Sequence, residues 1–308
     1  MGTTFRLVVY APSPEAAAAA FEEAWQRLEE LDRRLSDWRE DSELNALHRL
    51  APGPWREVSP DLHAVLLRSA RLVRATGGAF DPTVGQATRL WRRSLRQKEL
   101  PSPARLQEAR ERTGFDLLEV DPVQPRVRFL VPGLRLDFGA IGKGYALDEL
   151  LVVLRRHGLE RALLDGGGDL LAGAPPPGEP GWRVRVSALG PSGAEEDAGW
   201  LYLREAALAT SGDTSRFVEI GGVRYSHIVD PATGLGLRRR VAASALAAVA
   251  ADADAWASAA CVLGVPRACE QAPAGVELRV TELGCGGPLH CTTPGFPALL
   301  PDPEPSRP

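Results

Sequence analysis

Two oxygen-bearing side chains near the C-terminal end of the chain are spaced so that they can share a ligand. Asp254 and Ser258 are four residues apart within residues 252–263, which have the composition of a helix. They therefore lie on one face of that helix. A carboxylate and a hydroxyl suit a hard cation such as Mg²⁺, and the alternative is a solvated polar face that binds nothing. Asp252 is expected to cap the helix rather than to bind metal.

A glycine-rich segment in the middle of the chain has the features of an anion site. Residues 136–148 contain three closely spaced glycines and Lys143. The pattern predicts a strand that ends at Phe138, a tight loop, and a helix that begins at Tyr145. Backbone N–H groups at a helix N-terminus attract phosphate, and Lys143 adds a positive charge. The spacing matches neither the P-loop nor the dinucleotide fingerprint, and many such turns bind nothing.

One histidine has a setting that suits acid–base chemistry. His227 follows Ser226 at the end of a predicted strand and precedes a turn. Its ordinary pKa lies near neutrality, so it is a candidate general base. The alternative is a structural histidine held by hydrogen bonds. Two acidic glycine-containing segments, residues 166–169 and 211–213, are expected to be ordinary turns.

Aromatic residues beside carboxylates offer surfaces for a planar ligand. Phe80 precedes Asp81 in a loop rich in glycine and proline, and Trp38 follows Asp37 at the end of a predicted helix. Either ring can stack on a flavin or a purine, and either can equally be core packing.

The elements that must position these side chains predict an α+β fold. Strands occur in groups that look antiparallel, with long helices between them, which argues against a doubly wound sheet. Expected helices are at residues 15–35, 41–47, 60–76, 102–113, 145–154 and 252–263. Expected strands are at residues 4–10, 117–120, 126–130, 135–138, 162–165, 182–186, 201–203, 206–209, 216–220, 223–226, 241–249 and 276–281.

Composition narrows the class of protein. The chain has 308 residues, a net charge of −4 and a pI near 5.8, which gives no nucleic-acid footprint. No segment is long and apolar enough to span a membrane. Four cysteines are too few for a disulfide scaffold, and their spacing does not match a zinc site. Residues 1–295 are expected to form a single domain, and residues 296–308 a disordered proline-rich tail.

The order of these segments resembles that of the FAD:protein FMN transferase (ApbE) family over nearly the whole chain. The segments that carry the resemblance are MGT (1–3), LSDW (35–38), DSE (41–43), GAFDPTVG (78–85), LDFGAIGKGYALD (136–148), DGGGD (165–169), TSGD (210–213), SHIVDPATG (226–234), and Asp254 with Ser258 and Gly264. The resemblance implies two T-fold-like α+β halves with FAD bound between them.

The resemblance also implies an activity. Members of this family use Mg²⁺ to split the pyrophosphate of FAD, transfer FMN to a Thr or Ser hydroxyl of a target flavoprotein, and release AMP. The implied acceptor is of the kind found as a subunit of membrane redox complexes. Two alternatives stay open, an FAD pyrophosphatase that yields FMN and AMP, and a flavin-binding protein without catalysis. Mere binding would not need His227, Lys143, Asp254 and Ser258 together, which argues against the second alternative.

Site residues follow from the resemblance one at a time. His227 is implied to be the base on the incoming hydroxyl, and Lys143 to lie beside the phosphates. The implied metal ligands are Asp254, Ser258 and the main-chain oxygen of Ala140. The residues implied to contact FAD are Met1, Trp38, Ala79, Phe80, Asp81, Asp137, Lys143, Ser211, Gly212 and Ile228.

The chain departs from the family pattern at a few positions. Ser258 replaces the more usual Thr but keeps the oxygen, and Ala257 stands where some members have a second carboxylate, which predicts weaker metal binding. Trp38 stands where the family often has Tyr. The first residues do not look like a signal peptide, so the sequence as it stands predicts a cytoplasmic protein. Relatives have a signal sequence or lipobox before this segment, so loss of an export segment would make the protein periplasmic or membrane-anchored.

Overall fold

The computed structural model describes residues 2–213 and 216–301. Within these residues the helices are α1 (Pro14–Leu35), α2 (Glu43–Leu50), α3 (Pro60–Ala75), α4 (Gly85–Gln97), α5 (Pro103–Glu111), α6 (Gly142–Arg156), α7 (Ala250–Leu263) and α8 (Arg267–Gln271). The strands are β1 (Phe5–Val9), β2 (Arg56–Glu57), β3 (Leu118–Val120), β4 (Arg126–Phe129), β5 (Ala162–Gly166), β6 (Asp169–Ala172), β7 (Trp182–Leu189), β8 (Glu195–Leu203), β9 (Ala206–Gly212), β10 (Phe217–Ile220), β11 (Val223–Ser226), β12 (Val241–Ala247), β13 (Val276–Gly284) and β14 (Gly287–Thr292).

A seven-stranded sheet forms the centre of the fold. Its order is β1-β5-β6-β9-β12-β13-β14, and every neighbouring pair is antiparallel. The sheet divides into two halves between β6 and β9. In the second half, β9 and β12 precede α7 and α8, and β13 and β14 follow them. In the first half, β1 precedes α1 to α6, and β5 and β6 follow. The predicted α+β class is confirmed.

Three small sheets surround the central one. Their strand orders are β2-β4-β3, β7-β8 and β10-β11. Strand β3 pairs with β4 and β10 pairs with β11, in the segments where strands were expected at residues 117–120, 126–130, 216–220 and 223–226. Serines cap two of the helices: the Ser59 hydroxyl accepts from the backbone N–H of Leu62, and the Ser102 hydroxyl accepts from that of Arg105.

Small residues let α6 and α7 pack closely in the core. All seven residues of β12 are buried, and so is most of α7. A Cβ atom added at Gly144 of α6 would lie 2.2 Å from the backbone oxygen of Ala250. Gly142 and Gly144 lie inside α6. Gly144 therefore serves the contact between two helices rather than the sharp turn that was expected.

The strand predicted at residues 135–138 is wrong. Only Arg135 forms an isolated bridge, which pairs it with Val84. The next backbone groups find other partners, since Leu136 N–H donates to the His48 ring and Asp137 N–H donates to the Pro82 carbonyl. Because its backbone hydrogen bonds go to loops and a side chain, the segment does not pair with a neighbouring strand.

The predicted cap of α7 is also wrong. Helix α7 begins at Ala250, before Asp252, and the carboxylate of Asp148 in α6 accepts from the N–H groups of Ala250 and Ala251 at 2.8 and 3.0 Å. Asp252 instead pairs with Arg68 at 2.7 Å. A side chain from a neighbouring helix thus does the capping, which local sequence does not reveal.

Residues 211–213 were expected to form a turn, yet β9 continues through Gly212. Its polar residues extend the ladder because β12 supplies backbone partners as far as Gly212. Strand β8 likewise begins at Glu195, before the strand expected at residues 201–203, and pairs with β7.

The C-terminal part is fastened to the domain in two places. Cys269 of α8 and Cys291 of β14 form a disulfide, which composition did not predict. Phe296 is buried beside β7 and β8, and Leu300 exchanges two backbone hydrogen bonds with Trp200. Residues 296–301 thus pack on the domain, so the boundary expected at residue 295 is too early. The rest of the expected tail, residues 302–308, lies outside the described residues.

Within the described ranges, no helix combines the length and the apolar character needed to cross a bilayer.

Candidate active site

The N-terminal turns of α6 and α7 meet around the amine of Lys143. The Lys143 Nζ atom lies 2.8 Å from Asp254 Oδ1, 3.0 Å from Asp169 Oδ2 and 3.4 Å from the carbonyl oxygen of Gly139. The other oxygen of Asp254 accepts from the backbone N–H of Gly144 at 3.1 Å. Residues from α6, β6 and α7 therefore converge on one charged cluster.

The carboxylates of this cluster are deeply buried. Asp254 is 1% exposed and Asp169 is 4% exposed. Burial and the charge of Asp254 raise the pKa of Asp169, against the lowering effect of Lys143. Burial lowers the pKa of Lys143, but the charges of Asp254 and Asp169 outweigh burial and raise it above its ordinary value. Lys143 is thus a permanent cation in this setting.

Hydroxyl groups from β9 and α7 meet each other one helical turn beyond Asp254. The Ser211 and Ser258 hydroxyl oxygens are 3.0 Å apart. Thr210 N–H donates to Asp169 Oδ1 at 3.3 Å, which ties the same strand to the charged cluster. Gly212 follows Ser211 and pairs with Ala242 of β12. The structure thus brings together Lys143, Asp254, Ser258, Ser211 and Gly212.

The oxygen ligands present fit a hard cation. Asp254 supplies a buried carboxylate, Ser258 lies one helical turn further on, and Ala140 adjoins the Gly139 carbonyl that touches Lys143. Carboxylate, hydroxyl and carbonyl oxygens are the donors that Mg²⁺ takes. The described residues contain no cluster of three or more His, Cys, Asp or Glu side chains that could hold a metal. A cation here would therefore need main-chain, hydroxyl or substrate oxygens as well.

His227 is held by the hairpin that it follows. Its Nδ1 lies 3.0 Å from the carbonyl oxygen of Arg216. A carbonyl only accepts, so Nδ1 carries the proton and Nε2 is the basic nitrogen. Burial lowers the pKa of His227, and the charges of Arg216 and Lys143 lower it further while Asp213 raises it. The ring is therefore neutral at pH 7, as a general base requires.

Trp38 and Asp137 are brought together by Arg92 of α4, which sequence reasoning missed. The Arg92 guanidinium lies over the Trp38 ring, 4.1 Å from its centroid. It also bonds the carboxylates of Asp37 and, at 2.9 Å, Asp137. Trp38 is 67% exposed, which leaves ring surface free for a planar ligand. No local signal singles out Arg92, since its partners lie 45 and 55 residues away.

A buried histidine, His48, fixes the backbone at Leu136, next to Asp137. His48 Nε2 accepts from Leu136 N–H at 2.8 Å, and His48 Nδ1 lies 3.2 Å from Asn45 Oδ1. The same Asn45 oxygen accepts from Arg135 at 2.8 Å. Burial and the charges of Arg135 and Arg49 lower the pKa of His48 to about 3. The ring therefore stays neutral and can keep accepting from Leu136.

The remaining candidate residues are less directly placed. Phe80 is 4% exposed and packs in the main core, the role that was the alternative to stacking. Asp81 accepts from the N–H and hydroxyl of Thr83 at 2.8 and 2.6 Å and borders an open cleft of about 1240 Å³ beside α3 and β3. Three further candidates, Ala79, Ala140 and Ile228, are half-buried against the main core. Met1 lies outside the described residues.

Comparison with known proteins gives the family. The ApbE family model matches residues 1–279. The chain belongs to the ApbE family. A Treponema pallidum protein named FAD:protein FMN transferase is 34% identical over 284 residues, which cover 87% of this chain and 78% of the relative. A Klebsiella pneumoniae protein of the same name is 31% identical over 277 residues, with 87% and 78% covered.

Solved structures of ApbE proteins share the fold. The flavin transferase ApbE from Vibrio cholerae superposes with a TM-score of 0.88 at 26% identity, and the match covers 97% of this chain and 96% of that one. The ApbE protein of Thermotoga maritima gives a TM-score of 0.83 at 28% identity, with 95% and 94% covered. The ApbE-like fold expected from the sequence is therefore confirmed over nearly its full length.

Proposed function

We propose that this ApbE protein is a Mg²⁺-dependent transferase that moves FMN from FAD to a Thr or Ser hydroxyl of an acceptor flavoprotein and releases AMP. The observation that carries the proposal is the meeting of the Lys143 amine, two buried carboxylates and two serine hydroxyls where α6, α7 and β9 touch. Its relatives are named for this transfer.

The proposed reaction is a phosphoryl transfer. The acceptor hydroxyl oxygen forms a bond to the FMN phosphorus of FAD, and the bond from that phosphorus to the bridging oxygen of the pyrophosphate breaks. The bridging oxygen keeps the electron pair and leaves as part of AMP. The hydroxyl proton passes to Nε2 of His227, which is neutral and unprotonated at that nitrogen.

The charged cluster would serve the phosphates. Lys143 supplies a fixed positive charge beside them. Asp254, Ser258 and the Ala140 carbonyl would hold the cation, which when bound offsets negative charge on the pyrophosphate and on the leaving AMP. The Gly144 N–H keeps the Asp254 carboxylate in one orientation.

A planar ring system of FAD, the flavin or the adenine, would lie at the Trp38–Arg92 stack. The exposed Trp38 ring offers a planar surface of the kind on which aromatic ring systems stack. Arg92 holds that ring and the Asp137 carboxylate in a fixed relation. Asp137 would accept a hydrogen bond from the nucleotide.

The test is a transfer assay with FAD, Mg²⁺ and a candidate acceptor domain. We expect a fluorescent covalent adduct on the acceptor and one AMP for each adduct formed. Asp254→Asn should abolish both, while Asp252→Asn, on the same helix but paired with Arg68, should retain them. Free FMN and AMP without an adduct would show that the protein hydrolyses FAD instead of transferring FMN. FAD that is bound and left intact would overturn both enzymatic functions.

We also propose that the protein works in an oxidising compartment. The Cys269–Cys291 pair supports this, because disulfides persist outside the reducing cytosol. The proposal favours the periplasmic or membrane-anchored alternative over the cytoplasmic one. Rapid alkylation of cell extracts should leave Cys269 and Cys291 unmodified unless a reductant is added first, and modification without reductant would contradict it.

A further inference from the structure

Asp169 is a buried carboxylate that neither spacing nor family resemblance gave a role. It lies at the start of β6, where it pairs with Gly166 across the β5–β6 turn. Its Oδ1 accepts from Thr210 N–H, and its Oδ2 lies 3.0 Å from the amine of Lys143. Two strands therefore hold this carboxylate against Lys143.

Lys143 occupies the place where a cation would compete for Asp254. Its amine donates hydrogen bonds to Asp254 and to the Gly139 carbonyl, and Asp169 Oδ2 lies 3.0 Å away as an ion-pair partner. A divalent cation on Asp254 would be repelled by an amine 2.8 Å from the same carboxylate. The Asp254 carboxylate is restrained from rotating away from the amine, because its second oxygen accepts from the Gly144 N–H. The amine must therefore release Asp254 when the cation binds.

We propose that Asp169 is a positioning residue that keeps the Lys143 amine in the site when a divalent cation takes Asp254. The amine exchanges two carboxylate partners for one and stays beside the phosphates of the substrate. Asp169 is 4% exposed, so leaving it without its cation would be costly, and the Lys143–Asp169 pair is retained. The inference rests on the metal site of the proposed function.

Replacing Asp169 should therefore weaken cation binding through Lys143. In Asp169→Asn the amine keeps Asp254 as its only carboxylate partner and competes more strongly with the cation. Mn²⁺ titration followed by electron paramagnetic resonance should give a Kd raised by about tenfold, the scale of a one-unit pKa shift. The matched control is Asp165→Asn, which changes the other carboxylate of the same hairpin, one that contacts Arg6 and Gly168 N–H. Its Kd for Mn²⁺ should stay at the wild-type value.

A second background separates positioning from direct ligation. In Lys143→Met, Mn²⁺ should bind more tightly than in wild type, and adding Asp169→Asn should then change the Kd little. An equal loss of affinity in both backgrounds would make Asp169 a metal ligand and overturn the inference. Wild-type affinity in Asp169→Asn would overturn it as well, because Asp169 would then be only a structural anchor for β9.

The transfer assay keeps this inference distinct from the proposed function. Wild-type protein that transfers FMN while Asp169→Asn binds Mn²⁺ normally refutes the inference alone. Wild-type protein that shows the coupled Mn²⁺ affinities but transfers no FMN refutes the proposed function alone. Wild-type protein that binds no Mn²⁺ refutes both.

Discussion

At the scale of single residues, the position of one proton decides what His227 can do. The Arg216 carbonyl holds Nδ1–H, so the nitrogen left for proton transfer is Nε2. Because burial lowers the pKa of this ring, most of the protein carries the reactive form at neutral pH. If His227 is the base that we propose, it is in the required protonation state before substrate binds.

Replacing this base should slow transfer without weakening FAD binding. His227→Gln removes the proton acceptor, so kcat should fall about 10²–10⁴-fold while KM for FAD changes little. His63→Gln is the control, because His63 also bonds a backbone carbonyl, that of Asp121, but lies outside the site. Wild-type activity should fall at low pH with a midpoint below 6.5, since the pKa is lowered. An unchanged kcat in His227→Gln would remove His227 from the mechanism.

The sequence indicated the chemical groups of the site better than their partners. Asp254 with Ser258 was visible from helical spacing, and Lys143 from its glycine-rich surroundings. Asp169 was expected to belong to an ordinary turn, and no sequence pattern indicated Arg92. Their roles come from contacts with Lys143, 26 positions away in sequence, and with Asp137. Such contacts depend on the folded chain and leave no local pattern.

At the scale of elements, the junction of α6 and α7 sets the geometry of the cluster. Asp148 caps α7, and Gly144 lets the two helices touch, so Asp254 comes within reach of Lys143. A small change in helix separation would move the carboxylate away from the amine.

A methyl group at this junction should be enough to disturb it. Gly144→Ala places a Cβ 2.2 Å from the Ala250 oxygen and should destabilise the protein by about 1–3 kcal/mol, although Ala is the better helix former. Gly142→Ala is the control, because its Cβ would meet only Phe138 Cβ at 3.6 Å. Urea unfolding measures both variants. Equal stabilities for the two would show that the helices do not approach as described.

The neutral His48 ring should make the protein sensitive to acid. Its pKa is about 3 when folded and near 6.5 when unfolded, so the unfolded state binds more protons between these values. Stability is then lost as pH falls below 6.5, by at most about 1.4 kcal/mol per pH unit from this group. His48→Gln should be less stable than wild type at pH 7, and the gap should narrow at pH 5 by urea unfolding. A constant gap would mean that the ring is not held neutral.

Helices with serine caps and strands of simple hairpins were predictable because their signals are local. The extended segment at residues 135–138 and the end of β9 beyond residue 209 were not, because the sequence does not show whether a partner strand is present. The backbone N–H of Asp137 donates to the Pro82 carbonyl instead of to a neighbouring strand. Ser211, where a turn was expected, pairs with β12. In both cases tertiary contacts decided the outcome.

At the scale of the whole molecule, the sheet joins two halves and the disulfide fastens its outer edge. Strand β14 is the last strand of the order and pairs only with β13 within the described sheet. The Cys269–Cys291 bond ties this strand to α8. The edge strand is thus restrained on the side that has no neighbour.

Removing the disulfide should lower stability and leave the active site in place. The two cysteines are 22 residues apart, so replacing both with Ala should lower the free energy of unfolding by about 3 kcal/mol. Cys285→Ser is the control, because Cys285 is free and exposed and its loss should cost less than about 0.5 kcal/mol. Urea unfolding with and without reductant checks this. Equal stability of the reduced and oxidised protein would contradict it.

The ion pair between Lys143 and Asp254 has a consequence for biosynthesis. The two residues are 111 positions apart and lie on different helices, Lys143 on α6 and Asp254 on α7. A growing chain exposes the glycine-rich segment to solvent long before the helix that carries Asp254 has left the ribosome. The chain therefore cannot assemble the charged cluster during translation of its first half.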